Sequence, residues 1–181
     1  RRPAVRATHL CDSPAAANRV DIALVQGVDA MDCGVPISKE ILPVKLMSIS
    51  AVLGSFNTGW QDVTPPEAVN DAFERAVSVA KVILQNAIRD ANGFEKAKAI
   101  VEQATLLENG RLLLLAHGVP WKETVLESPG YEQLLYVIFP DAQAKWHVSC
   151  VPDKAGGFSN RKSLPAAWAG LDGEELDKVT G

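Results

Sequence analysis

The sequence predicts an α+β fold, and two observations carry it. Apolar residues recur at three- and four-residue steps as far as Gly110, the rhythm of helices packed on one face. After Gly110 the rhythm shortens to alternation, the mark of half-buried strands. A composition of 47% apolar and 22% charged residues in 181 belongs to an ordinary globular chain.

The first 14 residues mix Arg, Pro and Ser without periodicity and predict no regular element. From Ala15 to Met31, Val20, Ala23, Leu24, Gly27, Val28 and Met31 lie on one helical face, with Asp32-Cys33-Gly34 as the stop. Pro36, Pro43, Gly59-Trp60 and Pro65-Pro66 punctuate the next stretch, which reads as a connection holding one short helix at Leu46 to Phe56. Thr64 can cap the following helix, with Pro65 at its first position and Glu67 near the positive end of its dipole.

That helix presents Val69, Phe73, Ala76, Val77, Ala80, Ile83, Leu84, Ala87 and Ile88, and Asn92-Gly93 is expected to end it. A second helix follows with Phe94, Ala97, Ile100, Val101, Ala104 and Leu107, closed by Asn109-Gly110. Three strands are then expected at Arg111 to Ala116, Gln133 to Phe139 and Lys145 to Val151. The last two form a hairpin around Pro140 to Ala144. A loop over Gly157 to Gly170 and a short helix over Asp172 to Val179 complete the chain.

The longest uncharged apolar runs fall far short of the roughly 20 residues that span a bilayer. A net charge of −4 offers polyanions no overall attraction, so a bound nucleic acid needs a local basic cluster or metal ions. Cys11, Cys33 and Cys150 lack C-x-x-C spacing, which points to a reducing, intracellular compartment rather than to disulfides or structural zinc. The chain opens on Arg1-Arg2-Pro3 without a Met, and preceding sequence is expected.

Few residues suggest chemistry. Asp29 and Asp32, three apart at a helix end, can turn both carboxylates to one side and offer oxygen to a hard divalent cation; solvated helix-end acids are the alternative reading. His9, His117 and His147 stand apart from any carboxylate in sequence. His147, within a strand, is expected to satisfy a hydrogen bond there. The loop Gly156-Gly157-Phe158-Ser159-Asn160-Arg161-Lys162 joins glycines that admit close backbone approach to two cations able to hold a phosphate, without Walker spacing. A plain surface loop is the alternative.

Taken together, several strings resemble the melanocyte-proliferating-gene protein family of DHH-type phosphoesterases. They are Val28 to Gly34, Pro120-Trp121-Lys122-Glu123, Tyr136 to Phe139 with Trp146-His147-Val148 and Val151-Pro152, and Phe158 to Leu176. Within the last, Phe158, Arg161, Leu164, Pro165, Trp168, Gly170 and Leu171 follow the family's spacing.

The resemblance implies that residues 1–63 are the helical tail of a DHH-type catalytic domain with a linker. Residues 64–181 would be a substrate-binding domain of two long helices on a mainly antiparallel sheet. The implied whole is a metal-dependent phosphodiesterase, an exonuclease on RNA or short oligonucleotides, using two Mn²⁺ or Mg²⁺ ions in the nucleus or mitochondrion. Asp29 would ligate a metal, with Asp32 as a second catalytic acid, and Arg161 and Lys162 would bind a substrate phosphate. Trp121, Trp146 and Trp168 are expected in the core. Cys33 stands where the family has Asn. The family's H-x-G-x-F-H-x-D and D-H-H strings are not in this sequence, so the chain alone is expected to be inactive. A noncatalytic interaction or regulatory module is the competing reading.

Overall fold

The structure, a computed structural model, describes residues 10–35, 48–61, 65–171 and 173–181. Thr64 and Asp172, to which the sequence assigned a helix cap and a helix start, lie outside the described residues, as does His9. The chain is mixed α+β and packs as two compact units, Arg1–Glu95 and Lys96–Gly181.

In the first unit, helix α1 (Pro14–Val20) starts on a Ser13 cap, whose Oγ accepts from the Ala16 N–H at 3.1 Å. A π turn, Asp21–Val25, continues into α2 (Gln26–Asp32). The predicted stop holds: Gly34 takes φ +69°, while its N–H donates to Met31 O and the Val35 N–H to Ala30 O. This is the paired closure that a left-handed glycine allows. Helix α3 (Ile49–Gly54) is capped by Ser48 and lies beside α2.

Helix α4 (Pro66–Glu102) corrects the sequence reading, which ended one helix at Asn92-Gly93 and began another at Phe94. The helix runs straight through. Its inward stripe passes from Leu84, Ala87 and Ile88 to Ala91, which packs with Cys11, Ala16, Ala17 and Val20. Asn92 Oδ1 accepts the Asp12 N–H at 3.0 Å, and the Arg19 guanidinium lies 3.5 Å over the Phe94 ring. These contacts outweigh the roughly 1 kcal/mol by which Gly disfavours a helix interior. Val69 and Phe73, expected in the stripe, are exposed.

The second unit corrects the reading again. Thr105–Leu107, expected to finish a helix, form strand β1, and Glu108 and Asn109 turn the chain through positive φ into β2 (Leu112–Leu114). Helix α5 (Lys122–Glu127), which has no periodic stripe in the sequence, precedes β3 (Tyr136–Pro140) and β4 (Trp146–Cys150). The strands line up in the order β1-β2-β3-β4. Outer pairs are antiparallel, but β2 and β3 run parallel, with Leu113 opposite Val137. A parallel pair needs a crossover, and the segment carrying α5 supplies it.

Leu113 and Val137 from the sheet meet Trp121 and Val125 near and on α5, Val101 of α4, and Leu115, Tyr131, Leu134 and Val151. Each such side chain fully buried stabilises the fold by about 1.5–3 kcal/mol. The Tyr131 hydroxyl donates to Val101 O at 3.3 Å, and burial pushes its pKa up. Trp121 is therefore core as expected, whereas Trp146 is 62% exposed and Trp168 half-buried. Helix α6 (Gly173–Thr180) follows a short 3₁₀ turn at Ala166–Trp168.

Candidate functional site

In the first unit, Asp29 and Asp32 occupy the last turn of α2 and both are exposed. Cys33 makes the last helical bond, donating its N–H to Asp29 O at 3.0 Å, and Gly34 then ends the helix. Cys33 takes part in this end through its backbone, and its thiol is exposed. Two carboxylates at i and i+3 are suitable oxygen donors for a hard cation. Among the described residues no group of three or more His, Cys, Asp or Glu side chains converges, so the acids are at most part of a donor set.

In the second unit, the glycine-bearing loop after β4 is a built structure. Pro152 and Asn160 form an antiparallel bridge, the Asp153 N–H donates to Ser159 O at 3.0 Å, and the Arg161 N–H donates to Val151 O at 2.9 Å. At the tip, the Gly157 N–H donates to Lys154 O, and a Cβ on Gly157 would meet Lys154 Cγ at 3.0 Å and Lys154 O at 3.2 Å. Gly156 has φ +68°, so both glycines are needed for this turn.

Arg161 does something the sequence did not suggest. Its Nη1 donates to the carbonyls of Tyr131, Glu132 and Leu134, the last two at 3.4 and 3.0 Å. The guanidinium thereby clasps the loop's base to the segment before β3. Glu132 stays below the usual carboxylate range because it accepts from the Gly130 N–H, with the nearby Arg161 charge adding to the effect. Lys162, the next residue, is exposed.

A third arrangement joins residues that are six apart in sequence. The His147 Nε2–H donates to Asp141 Oδ2 at 2.9 Å, as expected for a strand histidine satisfying a hydrogen bond. Asp141 Oδ1 also accepts from the backbone of Gln143 and Lys145, and the His147 bond, then that of Lys145, holds the Asp141 pKa down. The pair locks the hairpin loop. Loop length was the only sequence signal for it, since a five-residue turn folds Asp141 back onto the first residues of β4.

These features define a two-unit α+β chain with an acidic helix end in one unit and a clasped, glycine-built loop in the other. Residues 8–181 match the profile described as "Uncharacterised protein family (UPF0160)", MYG1_exonuc. The chain belongs to this family. It is 33% identical over 176 residues to the MYG1 protein C27H6.8 of Caenorhabditis elegans, covering 87% of this chain and 50% of that protein. It is 31% identical over 171 residues to the human protein named MYG1 exonuclease, covering 87% and 45% respectively. With the Dictyostelium discoideum MYG1 protein it shares 29% over 174 residues, covering 88% and 52%. The chain thus spans about half the length of these relatives. No solved structure matches it. Among the described residues no helix is long and apolar enough to cross a membrane.

Proposed function

We propose that this chain is the substrate-handling half of a metal-dependent phosphodiesterase, an exonuclease acting on RNA or short oligonucleotides. The observation that carries the reading is the family match over residues 8–181, together with relatives whose name is MYG1 exonuclease. In this reading residues 1–63 end a DHH-type catalytic domain, and residues 64–181 form the domain that holds substrate.

Asp29, with Asp32 as its neighbour, would contribute carboxylate oxygens to a pair of Mn²⁺ or Mg²⁺ ions whose remaining donors come from outside the described residues. Such ions supply an activated water and neutralise charge on the phosphodiester. The structure's own contribution is positional. The Gly34 closure fixes the end of α2 and so the direction from which the two acids leave the helix. Arg161 sets the loop through backbone carbonyls, leaving Lys162 as the exposed cation beside it to meet a phosphate.

Replacing Asp29 with Asn in the full-length protein keeps the shape and removes the charge. Mn²⁺-dependent cleavage of a short RNA should fall by about a hundredfold or more, the scale of losing a charge-stabilising group, with unchanged circular dichroism. Wild-type turnover by that variant would remove Asp29 from the mechanism. A noncatalytic module would show no metal-dependent cleavage in the full-length protein at all.

A further inference from the structure

Phe158 stands at the tip of the glycine loop with its whole side chain in solvent, at 104% of its reference exposure. A Phe left in water forgoes the free energy of burying its ring. The loop that holds it there is not slack: the Pro152–Asn160 bridge, the Gly157 contact with Lys154 and the Arg161 clasp determine where residue 158 is presented. Below the ring opens a groove of about 630 Å³, within the range of small-ligand sites, walled by α5 and the loop.

The polar groups of that groove select among occupants. Glu123 and Glu127 line it against a single cation, Lys122, so the charge balance disfavours a phosphate inside. Asn160 also lines it, and an amide offers a donor and an acceptor to a flat heterocyclic edge. Lys122, placed 5.9 Å over the Trp121 ring, stands on the α5 wall of the groove, and exposed Lys154 and Lys162 lie on or beside the loop. An aromatic face, an amide, a carboxylate acceptor for N–H groups and cations along the groove wall and loop together suit one chemistry.

We infer that this groove is a nucleobase subsite, in which an unpaired base of a single-stranded oligonucleotide stacks on Phe158 and turns its N–H edge toward Asn160 and Glu127, while the adjoining phosphates follow Lys122, Lys154 and Lys162. The inference rests on the nuclease reading for its substrate class, and names where the strand is gripped. A duplex does not fit it, because paired and stacked bases have no free face to offer.

The test is a titration of the 181-residue chain with a fluorescently labelled eight-nucleotide single-stranded RNA and with its abasic counterpart, at fixed ionic strength. Phe158→Ala should weaken binding of the base-bearing RNA about 5- to 150-fold, the range for losing one base–aromatic stack. Phe158→Trp should restore it. The abasic strand should bind the wild-type chain with the reduced affinity of the Ala variant for normal RNA. Because the ring is fully exposed, Phe158→Ala leaves the packing intact. Equal affinity of wild type and Phe158→Ala, or of abasic and normal RNA, overturns the inference. So does absence of saturable RNA binding, which gives the groove to another class of occupant. Asp29→Asn lies in the other unit and decides the nuclease reading separately: base-dependent binding with undiminished Asp29→Asn activity keeps the subsite and discards the metal role.

Discussion

The two units solve the problem of packing against a helix with different materials. In the first, the buried residues where α1 meets α4 are Cys11, Ala16, Ala17, Val20 and Ala91, small side chains that bury little area each, with Leu84 and Ile88 only partly buried beside them. The second fills its interior with Leu113, Leu115, Leu134, Trp121 and the valines Val101, Val125, Val137 and Val151, and adds the Arg161 clasp on backbone carbonyls. A core of alanines brings backbones close but yields little hydrophobic free energy, whereas leucines and an indole yield much more per residue. The acids of α2 belong to the lightly packed unit, and the proposed strand grip belongs to the heavily packed one.

The leucine core of the second unit should be the most sensitive to truncation. Leu113→Ala should destabilise the second unit by about 2–5 kcal/mol, because the sheet cannot close over the lost side chain. The measurement is urea unfolding followed through the buried Trp121 in a chain whose other tryptophans are replaced by Phe. A loss under 1 kcal/mol would mean that this core is no firmer than the alanine one.

A smaller effect should follow from Arg161→Ala. Removing a charged donor from carbonyls that are partly out of water costs about 1.5–3 kcal/mol. Amide exchange should quicken at Arg161 itself, whose N–H donates to Val151 O. Unchanged stability and exchange would return the guanidinium to solvent, and to the phosphate role that the sequence suggested.

The smallest change should be favourable. At Gly93, inside α4, an added Cβ would meet nothing within 4 Å, so Gly93→Ala should raise the melting temperature, by about 0.5–1 kcal/mol of stability. Were the chain broken at Asn92-Gly93 with a left-handed glycine, the same substitution would destabilise. The sign of one measurement separates a continuous helix from the interrupted one.

That point also shows where sequence reading succeeds. Elements whose signals are local were legible: the helical run ending at Gly34, the Tyr136 to Cys150 hairpin with its five-residue loop, and the alternation after Gly110. The misreadings arose where tertiary contact overrules local preference. Asn-Gly usually ends a helix, yet the Asp12–Asn92 bond and the Arg19–Phe94 contact come from 80 and 75 residues away in sequence. The buried Ala91 bridges the two apolar stripes at helical spacing and was the overlooked clue. Helix α5 is only six residues long and too short to display a period. For the site, the type of each residue was readable but its partner was not: Arg161 looked like an anion binder, and only the fold brings carbonyls 27 to 30 positions away onto its Nη1.

The position of β4 at the end of the sheet has a consequence for how the chain behaves in bulk. An end strand offers one row of unsatisfied backbone groups, a template on which another molecule's strand can add. Here the row runs beside exposed Trp146 and Val148, which would reward such an addition with buried area. The opposing device is local, the charged Lys145 at the strand's entrance; His147, held by Asp141, stands on the strand's other face. Loss of the Lys145 charge would leave Trp146 and Val148 free to draw a second strand onto this edge.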